Sequence, residues 1–367
     1  MRSLYFLAAL AMLCAASAQA QTLQYPAARS GVATDPSVAR IAYLEDKVAN
    51  LETSLQGCQK NDSCRDDPVC GVSRDCCHSA GIIGGYDFLL LRPRFSNSIA
   101  YGRAYEDGPV EVLSATTFQT DYEMAPRFWL GYKGETGLGG RIRYMQFDHN
   151  LMEGSLLADA DNSYFINYFN NVWGPEQIFA EDGDELFFSH GMEMHVLDLD
   201  VMQDLYWGRT QLTIGGGLRY AKTSFLSVAF AMTGELQGEG AFMENTFEGA
   251  GPTVFLEMQR RIGQSSVSIV GGARGSVLFG RTRHWVGWAE LDGETADLAI
   301  ALERGDRTAG VIEGMIGVQY DRALTRGVDT FIRAGWEGQL WFDVGSPTST
   351  LGDMGMQGLS LSIGITR

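Results

Sequence analysis

The stretch HVLDLDVMQDLYW, His195 to Trp207, sets Asp198, Asp200 and Asp204 on one side of a period-two alternation and Leu197, Leu199, Val201, Leu205 and Trp207 on the other. Carboxylates at that spacing can hold a cation, move a proton or pair with arginine, and three of them do not sit in a dry core without partners. Cations recur with the same period: Arg141 and Arg143 alternate with Ile142 and Tyr144, Arg127 lies opposite Phe128, and Arg219 lies opposite Leu218 and Tyr220. Followed along the chain, this polar face comprises Asp87, Arg127, Arg141, Arg143, Asp198, Asp200, Asp204, Arg219, Glu257, Arg274, Glu313, Arg333 and Glu337. A face with both signs of charge either lines a wet path for small ions and solutes or pairs with itself and closes.

Catalysis needs more than these groups. His149, His190, His195 and His284 fall in or near long connections, but no Gly-x-Ser-x-Gly motif accompanies them, so no catalytic residue is assigned and the chain is not read as an enzyme. The acidic run Glu181 to Glu185 lacks the spacing of a calcium loop. Cys76, Cys77 and His78 lack the paired CxxC units of a zinc site. No metal and no cofactor is expected.

The elements that position the charges read as strands. After Gly81 the alternation returns ten times, in segments of about 9 to 11 residues, long enough to cross a bilayer at the usual tilt. The connections alternate strictly. Gly134 to Thr136, Gly208 and Arg209, Ile262 to Gln264, and Arg322 to Gly327 are short; Pro93 to Asp121, His149 to Ser189, Ser224 to Met243, Thr282 to Arg307, and Asp343 to Asp353 are long. That asymmetry predicts an all-β transmembrane antiparallel barrel of about ten strands, with twelve as the alternative, its short turns periplasmic and its long loops extracellular. Outward Tyr132, Trp207 and Tyr320 at one end, and Tyr220, Phe279 and Phe342 at the other, are candidates for two interfacial girdles. Asp87 then faces the lumen between lipid-facing Tyr86 and Phe88, and Arg92, Pro93 and Arg94 mark the exit from the membrane.

Composition agrees with that class. Glycine contributes 45 of 367 residues, and the formal charge of -17 disfavours nucleic acid as a partner, since nothing in the sequence resembles the basic stripe such a binder needs. The long connections carry 22 carboxylates against 5 basic residues, so a conducting lumen would have an acidic mouth that favours cations.

The N-terminal part divides into residues 1–20, an export signal; 21–57, a linker with a short coiled coil; and 58–80, a cysteine-rich segment before the barrel at 81–367. Ile41, Leu44, Val48, Leu51 and Leu55 form a heptad seam. Cys58, Cys64, Cys70, Cys76 and Cys77 are disulfide candidates in an oxidising compartment, and their odd number leaves one for a bond to a neighbouring chain. The expected partners are outer-membrane lipid and further copies of the chain, joined by the coiled coil and an intermolecular disulfide.

The segments GGYDFLLLRPRFSN, FEGAGPTVFLEMQRRI, GGARGSVLFG and FIRAGWEGQLWFD resemble the Legionella-type pore-forming outer-membrane protein family, over roughly residues 81 to 367. The resemblance implies an outer-membrane barrel, located in a Gram-negative-type envelope and pore-forming. Passive diffusion of small ions and solutes is therefore the leading expectation, and a non-conducting structural or adhesive surface barrel is the alternative.

Overall fold

A computed structural model describes residues 80–366, apart from 97–98, 108–109, 170–174, 234–236, 293–294 and 326–327. The export signal, the heptad seam and the five cysteine candidates lie outside the described residues. The strands are β1 (Gly81–Phe95), β2 (Ile99–Asp107), β3 (Val110–Thr117), β4 (Glu123–Lys133), β5 (Leu138–Leu157), β6 (Asn162–Phe169), β7 (Pro175–Ala180) and β8 (Glu185–Trp207). They continue as β9 (Thr210–Thr233), β10 (Gln237–Arg261), β11 (Val267–Asp292), β12 (Thr295–Thr325), β13 (Val328–Phe342) and β14 (Met354–Thr366). No helix occurs among the described residues.

Ten of these strands close an antiparallel barrel in the order β1-β14-β13-β12-β11-β10-β9-β8-β5-β4. Across the membrane belt each strand is paired on both sides, which leaves no edge in hydrocarbon, the condition for a sheet to span a bilayer. The burial pattern has the predicted polarity. Leu199, Val201, Leu218, Val254, Ile316, Ile332, Leu359 and Leu361 are exposed on the outer wall, while Asp198, Asp200, Arg219, Glu313 and Glu337 are buried within. The girdle candidates Tyr132, Trp207, Tyr320, Tyr220 and Phe279 are exposed among the outward residues.

The small residues set the curvature. A side chain at Gly217 would place its first carbon 1.8 Å from the Leu199 carbonyl oxygen, so only glycine permits that approach of β9 to β8.

The long connections differ from expectation. Most of Ser224 to Met243 and of Thr282 to Arg307 is paired strand, because β9, β10, β11 and β12 run far past the membrane belt. Alternation fails as a signal there: inward Phe225, Ala229 and Ala231 and outward Leu226, Val228 and Phe230 are all apolar, so the two faces do not contrast. The first and the longest connections hold the four remaining strands, in a separate sheet ordered β3-β2-β6-β7. One face of that sheet is driven into the barrel mouth by its own apolar residues. Ile166, Tyr168, Ile178 and Ala180 pack in a single buried cluster with Leu186, Ala229, Ala231, Met243 and Val286 of the wall. The part of the longest connection that carries Ile166, Tyr168, Ile178 and Ala180 is thus a plug. In the last connection, Val344 joins the core below it.

Candidate functional site

The site is the lumen, built first by register. Pairing sets Asp87 beside Arg127, Arg143 beside Asp198, Asp198 beside Arg219, Arg141 beside Asp200, and Arg274 beside Glu313. Cross-strand neighbours on one face lie within reach of each other, so opposite charges in these positions meet as the strands zip. Curvature then brings in partners from across the barrel.

Arg127 contacts Asp87 at 2.6 Å and holds Glu337 through two bonds of 2.7 and 2.9 Å. Asp198 is the hub of the next group. It lies 2.7 Å from Arg143, 2.6 Å from Arg219 and 3.7 Å from Arg274. Glu313 closes the ring at 3.1 Å from Arg143 and 2.6 Å from Arg219; the latter is a charge contact without hydrogen-bond angles. Asp200 accepts two bonds from Arg274, at 2.7 and 2.9 Å, and Arg141 joins Asp200 to Glu257. Toward the short turns Asp204 takes Lys133 at 2.7 Å and Thr213 at 2.6 Å, and Arg333 donates to Gln319.

Every charge read from the sequence as lumen-facing therefore points inward, and each carboxylate among them is paired with a cation. With Lys133 added, that set has seven cations and seven carboxylates. Bidentate and networked pairs of this kind hold their geometry better than isolated surface pairs. A gap between Arg127, Arg143, Met145, Val196, Asp198 and Glu313 leaves no room for a water-sized sphere.

Toward the long connections the lumen is apolar. Met145, Phe147, Met194, Val196, Phe225, Phe247, Leu278, Val311, Trp341, Met354 and Met356 form one buried cluster there, with Phe95 and Phe118. The Trp341 indole donates to Gln339, which in turn donates to Glu337, and so the apolar layer is stitched to the charged one. Sequence reasoning missed this apolar layer, and it missed Lys133. Both follow from the parity that identified the arginines: Lys133 is the next inward position after Arg127, Trp129 and Gly131.

A model of the family described as Legionella pneumophila major outer membrane protein precursor matches residues 77–363. The chain belongs to that family. No curated protein matches it in sequence. Among solved structures, the outer membrane protease OmpT from Escherichia coli is similar at 10% identity, with 78% of this chain and 96% of that chain covered and a TM-score of 0.42. A Pseudomonas aeruginosa FadL homologue is similar at 11% identity, covering 82% and 92%, with a TM-score of 0.24. The Pseudomonas putida toluene transporter TodX is similar at 8% identity, covering 84% and 93%, with a TM-score of 0.21.

In this member of the Legionella outer-membrane family the four histidines are not assembled into one centre. His149 lies 3.6 Å from Glu123, and His195 is on the outer wall between Tyr144 and Glu193, 2.8 Å from each. His190 Nδ1 is 2.7 Å from Ser227 Oγ, whose other partner is the Tyr168 hydroxyl of the plug, but both residues are fully enclosed. The His190 Nε2 atom meets no carboxylate, so the Ser–His pair has no orienting acid. The run Glu181 to Glu185 is a turn in which Asp184 accepts from the Glu181 amide, and no metal-holding cluster occurs among the described residues.

Burial pushes His190 down to about 4, and burial with the nearby Arg307 charge pushes His284 to about 4. Both groups lie beyond the membrane belt and fold in the neutral form. A depressed folded value means that the unfolded chain binds more protons between the two values, so stability is complete above pH ~6.5 and falls as pH drops toward ~4. Across that window each histidine is expected to remove on the order of 3 kcal/mol from the mouth of the barrel. Proteolysis of intact protein at pH 7 and pH 4.5 should show the plug sheet opening first at the lower pH. A His190→Gln variant should lose part of that pH dependence.

Proposed function

We propose that this outer-membrane barrel stands closed and serves as a surface scaffold, its membrane belt an anchor for the tall sheet extensions and plug at the long-connection end. In this reading the long connections face outward from the cell and the short turns face the periplasm. N-terminal heptads and cysteines join copies beneath the membrane. The observation that carries the reading is the two-layer lumen: paired charges with no water-sized gap at the Asp198 hub, and an apolar cluster on top. It also agrees with the size rule, by which about eight strands leave an interior that side chains fill and about sixteen leave an aqueous channel.

The expected result is that proteoliposomes holding the full chain neither swell in sugars nor pass potassium faster than empty ones. The second reading, a pore for small ions and solutes with a preference for cations, is favoured by one feature. The Glu257 side chain, at the short-turn end of the charged layer, is 39% exposed, so solvent reaches part of that layer. Ion flux above that of empty liposomes would establish this second reading and remove the first.

A further inference from the structure

Beyond the membrane belt the outer wall carries opposite charge on two sides. On β5 and β8, past Tyr144 and Leu197, the outward positions hold Asp148, Glu153, Glu193 and Glu185 without one lysine or arginine. The same wall exposes Phe187 at 41% and Leu157 at 67%. On β11 and β12, past Phe279, the outward positions hold Arg281, Arg283 and Arg304 against Asp306. Above those arginines Trp285, Leu302, Ile300 and Leu298 form an exposed apolar patch.

Two features of the β11–β12 wall call for a partner. Arg283 and Arg304 are register-opposed, and like charges directly opposite one another destabilise a sheet. Their neighbours do little to relieve this: Glu248 is 3.8 Å from Arg283, Asp306 is 3.9 Å from Arg281, and Arg304 has no ion pair among the described residues. The apolar patch is also too high for lipid. Six residues from Phe279 to Trp285 span about 20 Å of strand, or about 15 Å along the membrane normal at the usual tilt. A leaflet's headgroup layer is only about 5 to 8 Å thick.

A patch on the side wall at that height faces whatever protein stands beside it in the membrane. A second copy of this chain is held upright by the same belt and presents the acidic β5–β8 wall at a comparable level. We infer that copies pack side by side above the membrane, the basic and apolar β11–β12 wall of one against the acidic β5–β8 wall of the next. The two walls are different patches, so the contact is head-to-tail and propagates. They are centred four of the ten strand positions apart. A closed trimer would need them about 60° apart, so rows or wide rings are expected instead.

The test uses the full chain in native outer-membrane vesicles, with Arg283→Lys/Arg304→Lys to supply amines and a carbodiimide to join them to carboxylates in contact. Reducing gels remove any disulfide-linked species, and heat-modifiable migration verifies that each variant has folded. A ladder of dimers and larger species above the wild-type background is expected, cut at least tenfold by adding Asp148→Asn, Glu153→Gln and Glu193→Gln. Monomer alone overturns the inference, as does a ladder that survives neutralising the β5–β8 carboxylates. So does a third outcome, in which protein stays uncrosslinked while co-purifying lipid phosphorus is lost in Arg283→Gln/Arg304→Gln; the arginines would then hold a phosphorylated lipid.

Discussion

Replacing Asp198 with asparagine is expected to cost the folded barrel about 3 to 5 kcal/mol, because a buried ion pair broken from one side leaves its partner charged and unpaired. The effect should stand at the upper end of that range, since three guanidiniums, those of Arg143, Arg219 and Arg274, lose the same carboxylate. Arg219 has the most to lose: its side chain has no exposure at all, and Glu313 would be its remaining counter-ion. Asp204→Asn makes the comparison, as its partner Lys133 is 22% exposed and can recover water. Reversible denaturant unfolding in vesicles measures both. The combination Asp198→Asn/Arg143→Gln should cost less than the two single changes added together, since residues of one network couple.

The second large effect lies in the apolar layer. Trp341 is fully buried between the charged layer and the plug, and Phe225 and Phe247 belong to the same cluster. Trp341→Ala is expected to cost about 3 to 5 kcal/mol, the transfer term plus a cavity that a closed barrel cannot collapse. It also strands the Gln339 carbonyl that the indole satisfied. Yet the variant should remain electrically silent, because the Arg127, Arg143 and Arg219 pairs below it are untouched. Conductance in Trp341→Ala alone would mean that the apolar layer is the whole barrier and that the ion pairs yield to passing ions.

How far the sequence reveals this arrangement depends on where its two faces meet different solvents. Across the membrane belt one face meets lipid and the other meets the lumen, so Leu197, Leu199 and Val201 separate cleanly from Asp198 and Asp200, and the ten-strand barrel is legible. Beyond the belt the contrast disappears. Phe225 and Leu226 face opposite ways but are equally apolar, and the extensions of β9 to β12 therefore read as loops. The plug strands are short and are defined by what they pack on, as Tyr168 is by Ser227 of the wall.

The charged site was half legible for a related reason. Parity assigns each arginine to the lumen, and register assigns adjacent pairs such as Arg143 with Asp198. The contact of Arg127 with Glu337, 210 residues away, depends on where the wall curves, which no single strand encodes. Whether the charges line a path or block it rests on those cross-lumen contacts.

Single-channel recording from purified full-length chain in planar bilayers tests the closed lumen most directly. A closed lumen gives a flat baseline at neutral pH across a range of voltages, for the wild type and for Trp341→Ala alike. Reproducible unitary steps from the wild-type protein, selective for cations, would contradict it and return the barrel to the class of diffusion pores.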